Sequence, residues 1–125
     1  MARHNDYGKW GEDRAVEFLV GKGFAIVERN WRVGHYELDI IAMKGNRIVF
    51  VEVKSRLHPD YDPETDISPA KRSRIISAAN AYLRGSNLPH EPQFDVIYIV
   101  GYPDSFNVEH IPDAFFPTLK RYGRR

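Results

Sequence analysis

The stretch from Tyr36 to Ser55, YELDIIAMKGNRIVFVEVKS, limits what this chain can fold into more than any other part of it. Two runs of alternating character flank Gly45-Asn46, and alternation over about four to eight residues marks a strand whose two faces meet different surroundings. In the first run Glu37, Asp39 and Ile41 share one face, and Tyr36, Leu38, Ile40 and Ala42 share the other. In the second, Ile48, Phe50, Glu52 and Lys54 oppose Val49, Val51 and Val53. A two-residue turn with glycine at its first central position predicts a hairpin in which Lys44 pairs with Arg47. That register sets Asp39 opposite Glu52 and Glu37 opposite Lys54. Side chains so opposed lie about 5 Å apart at Cβ, and like charges at that distance repel. Two facing carboxylates on otherwise apolar strands need a compensating charge, and a hard divalent cation with oxygen ligands, Mg2+ or Mn2+, supplies one. The hairpin alone leaves a second reading equally open: Glu37 and Lys54 form a plain cross-strand ion pair on a solvated sheet face.

The chain is 125 residues long, enough for one domain with one core spanning 1–125. A net charge of +1 means that any nucleic-acid surface must come from local clustering and not from overall charge. The absence of cysteine excludes disulfides, thiolate zinc sites and cysteine nucleophiles, and it fits a reducing compartment. No apolar run approaches the ~20 residues of a membrane span, and Met1–Gly11 is too polar for a secretory signal. No membrane association and a cytoplasmic location are therefore expected.

Residues from about Gly8 to Lys22 read as a helix closed by Gly23. Ala15, Val16 and Leu19 form its apolar stripe, and Glu12 extends that stripe toward the N-terminus, while Asp13 and Glu17 lie off it and face water. A carboxylate in the first turn also suits the helix dipole, which gives Glu12 a purely local explanation. Phe24 to Arg32 is the first strand, and the hairpin follows. His58 to Ile67, with its prolines and acids, reads as a mobile loop. Asp60, Asp62 and Glu64 look like the start of a calcium loop, but Thr65 stands where that loop needs glycine and Lys71 where it needs glutamate. Calcium is excluded there. Ser68-Pro69 opens a second helix whose inner face is Ile75, Ile76, Ala79, Tyr82 and Leu83. Lys71 continues that face to the helix start and so points over the end of the sheet, with Arg72 and Arg74 beside it. After a loop from Gly85 to Glu91, Phe94 to Val100 is apolar enough for a central, covered strand. Phe106 to Ile111 is a short edge strand, and Pro112 to Phe116 a helical turn with Phe115 and Phe116 packed. Lys120, Arg121, Arg124 and Arg125 make a basic tail over about 118–125, expected to be disordered. The five histidines show no metal-ligand spacing and read as surface residues.

Helix, three strands, helix, strand is the αβββαβ core order of the restriction-endonuclease-like fold, an α/β architecture with a mixed sheet flanked by helices. Asp39, then Glu52-Val53-Lys54, resembles the PD-(D/E)xK nuclease motif, with Leu38 in place of its leading proline. Taken with Gly11-Glu12, Phe50-Val51 ahead of that Glu, and Lys71 in the next helix, the pattern resembles the bacterial YraN-like family over nearly the whole chain. Arg29-Asn30, Phe94-Asp95-Val96 and His110-Ile111-Pro112-Asp113-Ala114-Phe115 match it as well; Tyr36 departs, standing where that family usually has Gly. The set Glu12, Asp39, Glu52, Lys54 is also similar to the active site of archaeal Holliday-junction resolvases, a likeness of fold and motif that does not fix the substrate.

What the resemblance implies is a Mg2+- or Mn2+-dependent nuclease hydrolysing phosphodiester bonds in DNA, with structure-specific cutting among the options. Asp39 and Glu52 would hold the metal, with the Val53 carbonyl as a further ligand and Glu12 as an outer or second-metal ligand. Lys54 would orient the water or stabilise developing charge. Glu37 would be either the partner of Lys54 or an acid behind the ligands. Lys71 would hold a phosphate, and Arg56, Arg72 and Arg74 would line a groove for the nucleic-acid backbone. Two alternatives stand beside this one. The first is a nucleic-acid-binding module of the same fold without turnover. The second is an interaction protein with structural ion pairs, in which Asp39 and Glu52 would each find a basic partner. Junction resolution would need two active sites and hence a homodimer.

Overall fold

In the computed structural model, which describes residues 3–86 and 91–117, the chain runs α1 (Arg3–Gly21), β1 (Ala25–Val33), β2 (Tyr36–Lys44), β3 (Arg47–Arg56), α2 (Pro63–Asp66), α3 (Pro69–Ser86), β4 (Glu91–Tyr102) and β5 (Ser105–Phe115). The strands form one sheet in sequence order, antiparallel except where β3 meets β4. A parallel step cannot be closed by a tight turn, and the α2–α3 crossover supplies the connection. The expected α/β architecture is present, a mixed sheet with helices on both faces, extended by β5 at one edge. No helix among the described residues is long and apolar enough to cross a membrane.

Each helix is fixed by a local signal and by the face it buries. The Phe24 N–H reaches the Leu19 carbonyl and the Gly23 N–H the Val20 carbonyl, both at 3.0 Å. This C-cap requires the left-handed φ of +95° that Gly23 provides. Ala15 and Leu19 on α1 then pack on Ile40, Val51, Ile97 and Ile99. On the opposite face Ile75, Ala78 and Ala79 of α3 pack on Ile48, Phe50 and Tyr98. Ser68 caps α3, its Oγ accepting the Lys71 N–H at 3.1 Å. Fully burying a Leu or Ile is worth about 1.5–3 kcal/mol, so these two layers, one on each side of the sheet, are what hold it.

The hairpin has the predicted register from Lys44↔Arg47 to Ile40↔Val51, with φ of +61° at Gly45. Its ladder then stops. The expected cross-strand pairs Asp39–Glu52 and Glu37–Lys54 are therefore not ladder pairs. Leu38 lies with Ile41 in the cluster under α3, and not with Ile40 and Ala42 under α1, so the predicted alternation breaks where the strands part.

Three other expectations are corrected. The segment from His58 to Ile67 is anchored: Asp62 Oδ1 accepts the Glu64 N–H and caps the single turn α2, Ile67 is buried, and Tyr61 stacks on Tyr98 at 3.9 Å. The helical turn expected at Pro112–Phe116 is instead the end of β5, with Phe115 buried and Phe116 exposed. The cause is Asp95, whose buried carboxylate accepts from Gln93 Nε2 at 2.9 Å and from the Asp113 N–H at 3.0 Å. Satisfying that carboxylate bulges β5 opposite it and puts Asp113 at a φ of +51°. Finally, His110 is not a surface residue; its Nε2 lies 2.8 Å from Asp95, and its ring meets Phe18 and Phe24 edge-on. The basic tail over 118–125 lies outside the described residues.

Candidate active site

Where β2 and β3 part, the Val53 N–H loses the Leu38 carbonyl that a continued ladder would offer it. Asp39 Oδ2 takes its place at 2.9 Å. In a strand the N–H and C=O of one residue face the same neighbour, so the Val53 carbonyl is directed at the same gap. Burial first, and the Glu52 carboxylate second, push the half-buried Asp39 carboxyl up to about 7. Glu12 adds to the rise, while the Val53 N–H and the Lys71 ammonium oppose it.

Glu52 is the more deeply placed acid, its side chain 8% exposed, and Lys54 and Lys71 approach the same Oε2 at 3.8 and 3.7 Å. Lys71 arrives because helical side chains lean toward the N-terminus of their helix, and the Ser68 cap starts α3 at the sheet end. Among the described residues the cations pair with Glu52 and Glu12 and not with Asp39.

Glu12 enters from α1, and its Oε2 accepts from Arg29 Nε and Asn30 Nδ2, both at 3.1 Å. Arg29 also donates to Asp13 at 2.7 Å, so Asp13 is a second brace and not simply solvated. Asn30 falls opposite Asp39 between the pairs Arg29↔Ile40 and Trp31↔Leu38, with a φ of +53°. Asn tolerates that conformation better than most residues. Gly11 allows α1 to come this close: a Cβ there would meet Ser55 Oγ at 1.9 Å and Ser55 Cβ at 3.2 Å. Gly11→Val is expected to cost about 1–3 kcal/mol through overpacking, despite valine's better helix propensity. Urea unfolding checks this, and a variant as stable as wild type contradicts it.

Glu12, Arg29, Asn30, Asp39 and Lys54 line a cleft of about 610 Å³ together with Tyr7, Val53 and Arg56, while Glu52 and Lys71 lie behind its wall, joined to it through Lys54. Glu37 is at its rim, where it pairs with Arg32 at 3.6 Å, its neighbour across β1–β2, in place of the expected Lys54. Arg56 reaches the cleft while holding Asp66 at 2.7 Å. The expected row of three arginines does not form. Arg72 turns away, donating to the Ile67 and Glu64 carbonyls at 3.0 and 2.7 Å and lying over Phe115, and Arg74 is exposed on α3 outside the cleft. Among the described residues no three His, Cys, Asp or Glu side chains gather as a ready metal-ligand group. Arg29 and Asn30 are the site residues to which the sequence assigned no role. Their signal was a break in the pattern of β1, two polar residues facing the N-terminal helix.

The model of the uncharacterised protein family UPF0102 matches residues 11–99. The chain belongs to this family, the YraN family whose motif it resembles. The matched segment includes Glu12, Asp39, Glu52, Lys54 and Lys71. A UPF0102 protein of Bacteroides fragilis is 42% identical over 120 residues, covering 95% of this chain and 99% of its own. One of Flavobacterium psychrophilum is 44% identical over 117 residues, covering 93% and 98%. Among solved structures the fold is similar to that of Hjc, a Holliday junction resolvase of Archaeoglobus fulgidus. That match has a TM-score of 0.50 at 18% identity, over 83% of this chain and 75% of that one. At that identity the likeness is one of fold.

Proposed function

We propose that the cleft is the active site of a metal-dependent nuclease that hydrolyses phosphodiester bonds in DNA. Asp39 carries this reading. Its carboxyl, raised to about 7 beside Glu52, has no cation within 4 Å among the described residues, and Lys71 acts on it only from farther off. A protein built on structural ion pairs would pair both acids, and here only Glu52 is paired. The fold shared with an archaeal Holliday junction resolvase favours DNA as the substrate.

The donors suit a hard cation. The second oxygen of Asp39, the Glu52 carboxylate and the Val53 carbonyl are all oxygens, and Mg2+ is commonly held by one or two carboxylates with waters completing its shell. A cation bound there supplies positive charge against a phosphoryl oxygen and lowers the pKa of a water in contact with it. Lys54, 3.8 Å from Glu52, orients the attacking water and stabilises charge on the pentavalent transition state. Lys71 holds a phosphate oxygen, and Arg56 contacts the backbone. Glu12 sets the wall formed by Arg29 and Asn30, and its Oε1 would serve as an outer ligand to a bound cation.

Cleavage of linear DNA, branched DNA and RNA, each with Mg2+, Mn2+ or a chelator, tests the reading. It expects cutting that needs the cation and that prefers DNA. Cutting that persists in chelator contradicts it. Resolution of a four-way junction would further require paired sites, so sedimentation should then give the mass of a homodimer.

A further inference from the structure

Beside the cleft lies an aromatic group that the chemistry above does not use. Tyr7 and Trp10 are one helical turn apart on α1, which places them on one face. Their rings lie 5.5 Å apart at an interplanar angle of 24°. Trp10 meets Phe106 edge-on at 5.2 Å. Phe106 is 37% exposed and Tyr102 50% exposed at the two ends of the turn joining β4 to β5. The group is held in place: the Tyr7 hydroxyl donates to the Gly101 carbonyl at 2.8 Å. Gly101, at a φ of +124°, admits no side chain, since a Cβ would meet the Ser105 carbonyl oxygen at 2.4 Å. Trp10 also packs on the core under α1, while Phe106 and Tyr102 leave ring area in water at the hairpin end, and exposed apolar patches mark contact surfaces.

Two observations name the occupant. Tyr7 belongs to the cleft wall as well as to the aromatic group, so the surface continues directly from the site. Cations stand at the same wall: Lys9, 3.9 Å from Asp13 with a side chain 74% exposed, and Arg56, which also holds Asp66. Rings beside a wall that carries these cations fit a polyanion with flat apolar faces. We infer that this surface stacks an unpaired nucleobase of the substrate strand, next to the phosphate held in the cleft, so that the substrate is DNA with a single-stranded or frayed segment. The inference rests on the nuclease reading for the position of the phosphate, but its test does not.

Trp31→Phe leaves Trp10 as the one tryptophan, because the chain has two. With chelator present, this variant is titrated with a single-stranded oligodeoxynucleotide and with an abasic strand of equal length and charge, following tryptophan fluorescence. The expected result is quenching by the base-bearing strand and an affinity about 5- to 100-fold above that for the abasic strand. Trp10→Ala, followed by anisotropy of a labelled strand, should lose most of that preference, and Phe106→Ser should weaken it if Trp10→Ala does not fold. Equal affinity for the two strands overturns the inference while leaving a phosphate-binding cleft intact. So does binding of neither strand, and so does a Trp10 signal that changes with protein concentration alone, which would mean that a second copy covers the rings. Metal-dependent cleavage is read separately, so the nuclease reading stands or falls apart from these outcomes.

Discussion

Asp39→Asn is expected to abolish cleavage, by about a thousandfold or more, and at the same time to stabilise the metal-free fold at pH 8. The first effect follows from removing an anionic oxygen that a cation and the transition state both need. The second follows from the cost of keeping Asp39 ionised. Its carboxyl titrates at about 7 in the fold against an ordinary 3.8, so the folded state binds the proton more tightly than the unfolded one. Stability from this group is therefore greatest below pH 4, falls as pH rises toward 7, and stays low above it. With no screening the cost at pH 8 would be about 4 kcal/mol; water in an open cleft reduces it, and we expect about 1–3 kcal/mol. Asn keeps an oxygen for the Val53 N–H, whereas Ala would orphan that donor and offset the gain. Thermal unfolding of both proteins at pH 4 and pH 8 reads the effect. A gain at pH 8 that shrinks at pH 4 is expected, and a loss of stability at pH 8 would mean that Asp39 is a structural partner.

Asp95→Ala is expected to act on stability alone and in the opposite direction, with a loss of about 3–5 kcal/mol. The Asp95 side chain is fully buried, and it satisfies Gln93, His110 and the Asp113 N–H together. Removing it leaves these groups without their partner and removes the reason for the bulge in β5. Urea unfolding measures the loss. A change below about 1 kcal/mol would show that β5 keeps its course without the carboxylate.

These two aspartates also mark the limit of what the sequence made legible. The hairpin register as far as Ile40↔Val51, the Gly23 stop and the Ser68-Pro69 start follow from period and turn chemistry, and all appear in the structure. So does the approach of Glu12, Lys54 and Lys71 to the two acids, because helical spacing and strand parity decide where those side chains point. What periodicity cannot carry is a side chain that replaces a backbone partner. Asp39 takes the N–H of Val53 and Asp95 takes that of Asp113, and at each place a strand departs from regular alternation. Leu38 changes sides at the first, and a stretch with proline and aspartate that reads as a turn remains strand at the second. Proline is tolerated there because β5 is an edge strand. His110 reads as a surface residue for the same reason: its partner Asp95 sits inside an apolar run, where the pattern registers only that the strand is buried.

Whether Asp39 and Glu52 form a cation site is read by calorimetric titration of Mg2+ and Mn2+ into wild type and Asp39→Asn. Binding to wild type that is lost in the variant is expected. Wild-type affinity should also fall from pH 8 to pH 6, with proton release on binding, because the cation must displace the proton that Asp39 holds near pH 7. No binding to wild type, or equal binding to Asp39→Asn, would contradict such a site.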